Sequence, residues 1–296
     1  MKGFFTGSAT ALITPFTQSG VNFETLEKLI EYQIAGGTDA IVFLGTTGEP
    51  STMTEAEKES VMQFAVKTVN KRCKVIIGCG SNDTAKAVAN AKKAESYGAD
   101  GLLAVTPYYN KCTQNGLIAY YKTICEAVSI PVIAYNVPGR TGVEIQPATM
   151  AKIADIPNIA GLKDAGGNMS KTMETLRLIR NKCDLYSGED ALNFPILAVG
   201  GVGVISVLSN ILPKDVKELC ALIKNGNFEK AQQLNDALLP VANACFCEVN
   251  PIPVKAGMNL IGFNAGVPRA PLTEIEPQNA EKLANAIRVF GMEIKE

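Results

Sequence analysis

The sequence predicts an α/β chain folded as a (β/α)8 TIM barrel with a C-terminal helical extension, and three features predict it. Short apolar runs alternate with helical periods from one end of the 296-residue chain to well past its middle. Eight such units follow one another before the alternation stops near residue 224, as parallel strands closing on themselves require. The runs are apolar throughout rather than alternating, the pattern of strands covered on both faces. They span residues 9–13, 40–44, 75–78, 101–105, 132–135, 159–162, 185–187 and 204–207.

The N-terminal segment superficially resembles a leader, but Thr6, Gly7, Ser8 and Thr10 interrupt it, so a first strand is the better reading. Phe23, Leu26, Ile30 and Ile34 then share a helical face behind Asn22 as N-cap. Thr54 and Glu57 form a capping box ahead of Val61, Ala65 and Val69. Residues 194–213 are nearly uncharged, yet Gly200, Gly201, Gly203 and the prolines at 195 and 213 favour helix-turn-strand over a membrane span. Val216, Leu219, Cys220 and Ile223 mark the eighth helix. Beyond it only helical periods remain, Leu234, Leu238, Val241 and Cys245, then Leu283, Ile287 and Phe290. The expected organisation is therefore a catalytic barrel over residues 1–224 and a helical region over 225–296, packed on the barrel or on a neighbouring subunit. An open doubly wound sheet is the structural alternative. It usually announces a Gly-rich phosphate loop, and Gly78-Cys79-Gly80 lacks the third glycine while Gly167 to Lys171 lacks the glycine before the lysine.

A formal charge of −1 argues against nucleic acid as partner, which demands a basic footprint. Eight cysteines form no CxxC pair and no histidine exists to complete a zinc set. A metal site is not expected, and scattered thiols fit small buried residues in a reducing cytosol.

In such barrels chemistry gathers at the carboxyl ends of the strands. There the sequence places Thr46 and Thr47 after strand two, Tyr108 and Tyr109 after strand four, and Tyr135 with Arg140 after strand five. Lys163 ends strand six, Gly188 and Glu189 follow strand seven, and Ile205 lies in strand eight. Without histidine, proton transfer near neutral pH needs other groups. A lysine amine on one strand and a phenol on its neighbour, 28 residues apart, are the chemistry of imine formation with a carbonyl substrate. The competing reading of Lys163 is a structural ion pair to Asp164 or Glu189. For Arg140, between Pro138-Gly139 and Thr141-Gly142, the choice is between a fork for a substrate carboxylate and an exposed arginine.

Six blocks carry a resemblance across essentially the whole chain. They are Gly45-Thr46-Thr47-Gly48-Glu49, Thr106-Pro107-Tyr108-Tyr109-Asn110, the run from Tyr135 to Gly142, Gly161-Leu162-Lys163-Asp164, Gly203-Val204-Ile205-Ser206, and the run from Asn250 to Lys255. By these the sequence resembles the pyruvate-dependent lysine aldolases, the family of N-acetylneuraminate lyase and dihydrodipicolinate synthase. Arg140 and the Tyr108-Tyr109 pair favour the synthase branch. The resemblance implies that Lys163 attacks the ketone of pyruvate, with Tyr135 shuttling protons in a hydrogen-bonded set with Thr46 and Tyr109. Tyr109 would reach the neighbouring subunit's site across a dimer interface. It further implies that Thr46 and Thr47 hold the pyruvate carboxylate, that Arg140 holds the carboxylate of L-aspartate 4-semialdehyde, and that Gly188 and Ile205 offer backbone contacts. The product implied is 4-hydroxy-tetrahydrodipicolinate, towards diaminopimelate and lysine, made without metal or organic cofactor by a cytoplasmic homotetramer built as a dimer of dimers. The alternatives are a sister lyase of N-acetylneuraminate or 2-keto-3-deoxy sugar acids, and a non-catalytic ligand-sensing barrel. Lysine-inhibited members carry an acidic residue where this chain has Lys86, and some carry histidine where it has Glu55. Feedback inhibition by lysine is accordingly expected to be weak or absent.

Overall fold

The protein is described by a computed structural model covering residues 2–295. Eight parallel strands form a closed barrel: β1 (Gly7–Ala11), β2 (Ala40–Phe43), β3 (Lys74–Gly78), β4 (Gly101–Val105), β5 (Val132–Asn136), β6 (Ile159–Asp164), β7 (Asp184–Ser187) and β8 (Gly203–Ser206). Each strand pairs with the next in sequence, and β8 returns to β1. The intervening helices are α1 (Phe23–Ala35), α2 (Glu55–Val69), α3 (Thr84–Ser96), α4 (Gln114–Glu126), the short α5 (Pro138–Thr141), α6 (Pro147–Ile153), α7 (Met169–Ile179) and α8 (Asn193–Ala198). After β8 come α9 (Pro213–Lys224), α10 (Phe228–Ala244), α11 (Ile252–Leu260) and α12 (Pro277–Phe290). Among the described residues no helix is long and apolar enough to cross a membrane.

Local signals account for where the helices begin. The Asn22 carboxamide oxygen accepts from Thr25 N, and the Thr54–Glu57 capping box closes in both directions. Alternation along the strands separates two cores. The outer one, between sheet and helices, takes Leu26, Ile30, Ile41 and Leu162; the inner one fills the barrel with Ala9, Val42, Ile76, Ile133, Tyr186 and Ile205. Phe5, just ahead of β1, stacks on the Tyr186 ring at 4.3 Å, and the Tyr186 hydroxyl donates to the Phe5 carbonyl at 3.0 Å.

The first strand runs two residues earlier than its apolarity predicts. At Gly203, opposite Gly7, a Cβ would fall 2.3 Å from the Gly7 carbonyl oxygen, so the two backbones meet only because glycine stands there. Leu12 and Ile13, read as strand, are buried in the outer core beyond the sheet. Between β5 and β6 the register slips by one residue, Val132 facing Ile159 but Ile133 facing Gly161. That extra residue reverses the alternation. Ile159 faces the helices and Ala160 the interior, Leu162 faces the helices again, and Lys163 comes level with Tyr135.

The C-terminal helices do more than cover the barrel's side. α10 packs against α9 and α12, while the chain just after α11 reaches the carboxyl-end rim of the barrel, where Phe16 N donates to the Ala265 carbonyl at 3.1 Å.

Candidate active site

Lys163 and Tyr135 are register partners on adjacent strands, both nearly buried at 4% and 6% exposure. The ammonium nitrogen lies 4.4 Å from the Tyr135 ring centroid, a cation–π contact in a water-poor setting. No carboxylate comes within 4.0 Å of it among the described residues. Asp164 is occupied elsewhere, since its carboxylate accepts from Asn136 Nδ2 at 3.1 Å, Thr172 Oγ1 at 2.7 Å and Gly166 N at 3.1 Å. Glu189 is half-buried, and desolvation with repulsion from Asp190 raises its carboxyl above the usual range against the pull of Lys163. The structural ion pair weighed for Lys163 is therefore not formed. Gly188 touches the lysine's stem: a Cβ there would lie 2.8 Å from Lys163 Cε and 2.9 Å from Cγ. Glycine at this position leaves the lysine its channel.

Thr46 and Thr47 sit in a single 3-10 turn, Thr46–Gly48, between two left-handed residues, Leu44 and Glu49, each at φ 56°. Non-glycine residues hold that conformation only when their surroundings impose it. Here the imposing partner comes from the C-terminal region. The Glu49 carboxylate accepts from Lys255 Nζ at 2.7 Å and from Arg269 N at 2.9 Å. Both members of the Lys255–Glu49 pair are buried, and burial depresses the Lys255 ammonium pKa against the opposing attraction of Glu49. Lys255 and Arg269 each approach the Phe16 ring at 4.1 Å.

Thr46 is partly open to a cavity of about 440 Å³ whose wall includes Tyr108, Tyr135 and Arg140, and which runs between α2 and α3 past Lys58, Asn82 and Lys86. Its wall contains Tyr135, on whose ring the Lys163 ammonium rests, but not Lys163 itself. The volume suits small metabolites. Arg140 is exposed and anchored through Nη2 to the Asn250 carbonyl at 3.0 Å. Ile205 is fully buried in the inner core. Tyr109 stands apart, 90% exposed at φ 70°. Within the chain no hydrogen bond joins Tyr135, Thr46 and Tyr109 among the described residues.

Sequence reading missed Asn250, Lys255 and the role of Glu49. Asn250 Nδ2 donates to Thr47 Oγ1 at 3.0 Å while its carbonyl holds Arg140, so one residue touches two of the candidate binding groups. The only signal was the run from Asn250 to Lys255, noted as a motif without a role. Of the eight thiols, Cys79, Cys125, Cys183 and Cys220 are pushed by burial to about 12, as packed and unreactive sulfurs are. Among the described residues no cluster of three or more His, Cys, Asp or Glu is placed to hold a metal.

The model of the dihydrodipicolinate synthetase family matches residues 4–289. A relative from Caldicellulosiruptor bescii, named 4-hydroxy-tetrahydrodipicolinate synthase, is 50% identical over 293 residues, covering 99% of either chain. One of the same name from Clostridium novyi is 46% identical over 292 residues, again covering 99% of each. Among solved structures, dihydrodipicolinate synthase from Aquifex aeolicus superposes with a TM-score of 0.96 at 43% identity, covering 99% of this chain and 100% of that one. That from Thermotoga maritima gives 0.95 at 42% identity, covering 97% and 99%. With the barrel and the Lys163–Tyr135 pair already in place, these matches along nearly its whole length show that the chain belongs to the dihydrodipicolinate synthetase family.

Proposed function

We propose that this protein condenses pyruvate with L-aspartate 4-semialdehyde through an imine on Lys163, giving 4-hydroxy-tetrahydrodipicolinate on the route to diaminopimelate and lysine. The observation that carries the reading is the state of Lys163: nearly buried, free of any carboxylate within 4.0 Å among the described residues, and resting on the Tyr135 ring. With no carboxylate holding it among the described residues and a phenol at its side, the Lys163 nitrogen is placed to bond a carbonyl carbon. Relatives that carry the synthase name at about half identity support the same reaction.

In the reaction, the Lys163 amine attacks the ketone carbon of pyruvate. Tyr135 donates the proton that lets water leave and later accepts one as the imine becomes an enamine. Thr46 and Thr47 hold the keto-acid carboxylate. Arg140 receives the carboxylate of the semialdehyde, and the backbones at Gly188 and Ile205 offer contacts to the substrate. The enamine carbon bonds to the aldehyde, and the substrate's own amine then displaces Lys163 and closes the ring. The lysine imine is the electron sink, so the chemistry calls for no further cofactor.

Tyr109, exposed and in a left-handed turn, fits a role completed by a second copy of the chain. We assign the working form to a cytoplasmic dimer of dimers on that basis and on the resemblance. The cleft wall beside Glu55 carries two ammonium groups, Lys58 at 3.0 Å and Lys86 at 3.8 Å from the carboxylate. Free lysine would present its own ammonium to like charge there, so feedback inhibition is weak or absent.

The test is a two-substrate condensation assay beside borohydride trapping with pyruvate alone. Arg140→Ala should spare trapping and impair condensation. Unimpaired condensation would remove Arg140 from the second-substrate site. Turnover of a sugar acid in preference to the semialdehyde would favour the sister lyase.

A further inference from the structure

We propose that Asn250 is a positioning residue that fixes the direction of the Thr47 hydroxyl, so that its single hydrogen is aimed at the keto-acid carboxylate. The proposal rests on the reading above, in which Thr47 binds that carboxylate. A threonine hydroxyl has one hydrogen to donate and lone pairs to accept with, while an amide nitrogen only donates. Asn250 Nδ2 lies 3.0 Å from Thr47 Oγ1, so the amide fills the acceptor side of the hydroxyl. Thr47 is buried, and its hydroxyl has no second partner among the described residues. Its hydrogen is left for the carboxylate that the reading above assigns to Thr47, one residue on from Thr46 in the cavity wall. A carboxylate is an acceptor only, so it binds the hydroxyl in that orientation and is repelled by the reverse one.

The placement of Asn250 suits this task. Its other amide atom, Oδ1, is buried without a partner among the described residues, where the bond to Thr47 is the one that ties the side chain down. Its main-chain carbonyl accepts from Arg140 Nη2 at 3.0 Å. The side chain therefore serves the keto-acid end and the backbone serves the second-substrate end, which makes the two separable by mutation. Five residues on, Lys255 holds Glu49 at the far side of the same turn.

Asn250→Asp keeps the shape and reverses the hydrogen bond, because a carboxylate accepts from Thr47 and draws its hydrogen away from the site. Asn250→Ala only frees the hydroxyl to rotate. The expected result is a pyruvate KM raised tenfold or more by Asn250→Asp and less by Asn250→Ala, with the semialdehyde KM near wild type in both. A residue that merely filled space would rank them the other way, the isosteric change being the milder. Equal effects on both substrates, or the alanine variant being the worse for pyruvate, would overturn the proposal. Should the aspartate variant not fold, Asn250→Ala combined with Thr47→Val decides. The double variant should bind pyruvate no worse than Thr47→Val alone, and additive losses would overturn the proposal. A wild-type protein that traps no pyruvate would bring down the underlying reading and this one together. Trapping by wild type beside a normal pyruvate KM in Asn250→Asp would bring down this one alone.

Discussion

Lys255→Met removes one half of an ion pair that no water reaches. Lys255 and Glu49 have side-chain exposures of 0% and 1%, and their charged atoms are 2.7 Å apart. Methionine replaces the stem at similar volume, so packing loss is small. What remains is the Glu49 carboxylate, buried, with Arg269 N at 2.9 Å as its surviving donor. Breaking a buried pair from one side costs about 3–5 kcal/mol because the other charge is left uncompensated. At about 2–4 °C per kcal/mol for a chain of this size, the melting temperature should fall by roughly 6–20 °C. Glu49 also sets the left-handed end of the Thr46–Thr47 turn, so pyruvate affinity should fall with stability. Thermal melting by circular dichroism, run with and without pyruvate, measures both. Adding Glu49→Gln should restore most of the lost stability, since the orphaned charge is then gone. A single variant melting within a degree or two of wild type, or a double variant no better than the single, would refute the assignment of Lys255 as the clamp on this turn.

Further outcomes are expected elsewhere. The Arg269 guanidinium holds the Glu57 carboxyl down from its ordinary value near 4.5 to about 2. A folded-state value below the unfolded one gives stability that is present above 4.5 and lost as the pH falls towards 2. Glu57→Gln should therefore flatten the fall in stability across that window, by on the order of 1 kcal/mol after solvent screening. A urea titration at several pH values that shows an unchanged slope would contradict this. Gly188→Ala forces a methyl against Lys163 Cε at 2.8 Å and Cγ at 2.9 Å, and should slow imine trapping by about a hundredfold at an overpacking cost of about 1–3 kcal/mol in stability. Normal trapping would show the lysine's path to be wider than described. Finally, sub-millimolar lysine should leave steady-state turnover near its uninhibited rate, and substantial inhibition would reject the like-charge argument at Lys58 and Lys86.

How much of this was legible differs from residue to residue. The barrel was, because eight apolar runs separated by helical periods leave few other topologies. Lys163 and Tyr135 were legible as strand-end residues, but the slip that brings them level was not. Ile159-Ala160-Gly161-Leu162 is apolar on both faces, so no polar alternation marks where the parity reverses. The first strand begins two residues before its apolar run because Leu12 and Ile13 are apolar for the outer core, and an apolar residue buried there looks the same in sequence as one paired in the sheet. Asn250 and Lys255 could not be found by the strand-end rule. They come from the helical tail and meet Thr47 and Glu49 across 203 and 206 residues, a relation that only folding reveals. Tyr109 is named by the resemblance, and a single chain leaves that role untested, its side chain being 90% exposed.

One buried amine, with no carboxylate within 4.0 Å among the described residues, is the proposed covalent carrier of the keto acid. Borohydride reduction in the presence of pyruvate, followed by peptide mass mapping, decides the matter. A reduced three-carbon adduct confined to the peptide holding Lys163, and missing in Lys163→Ala, is the predicted result. An unmodified Lys163 in active protein, or an adduct that survives Lys163→Ala, would contradict it.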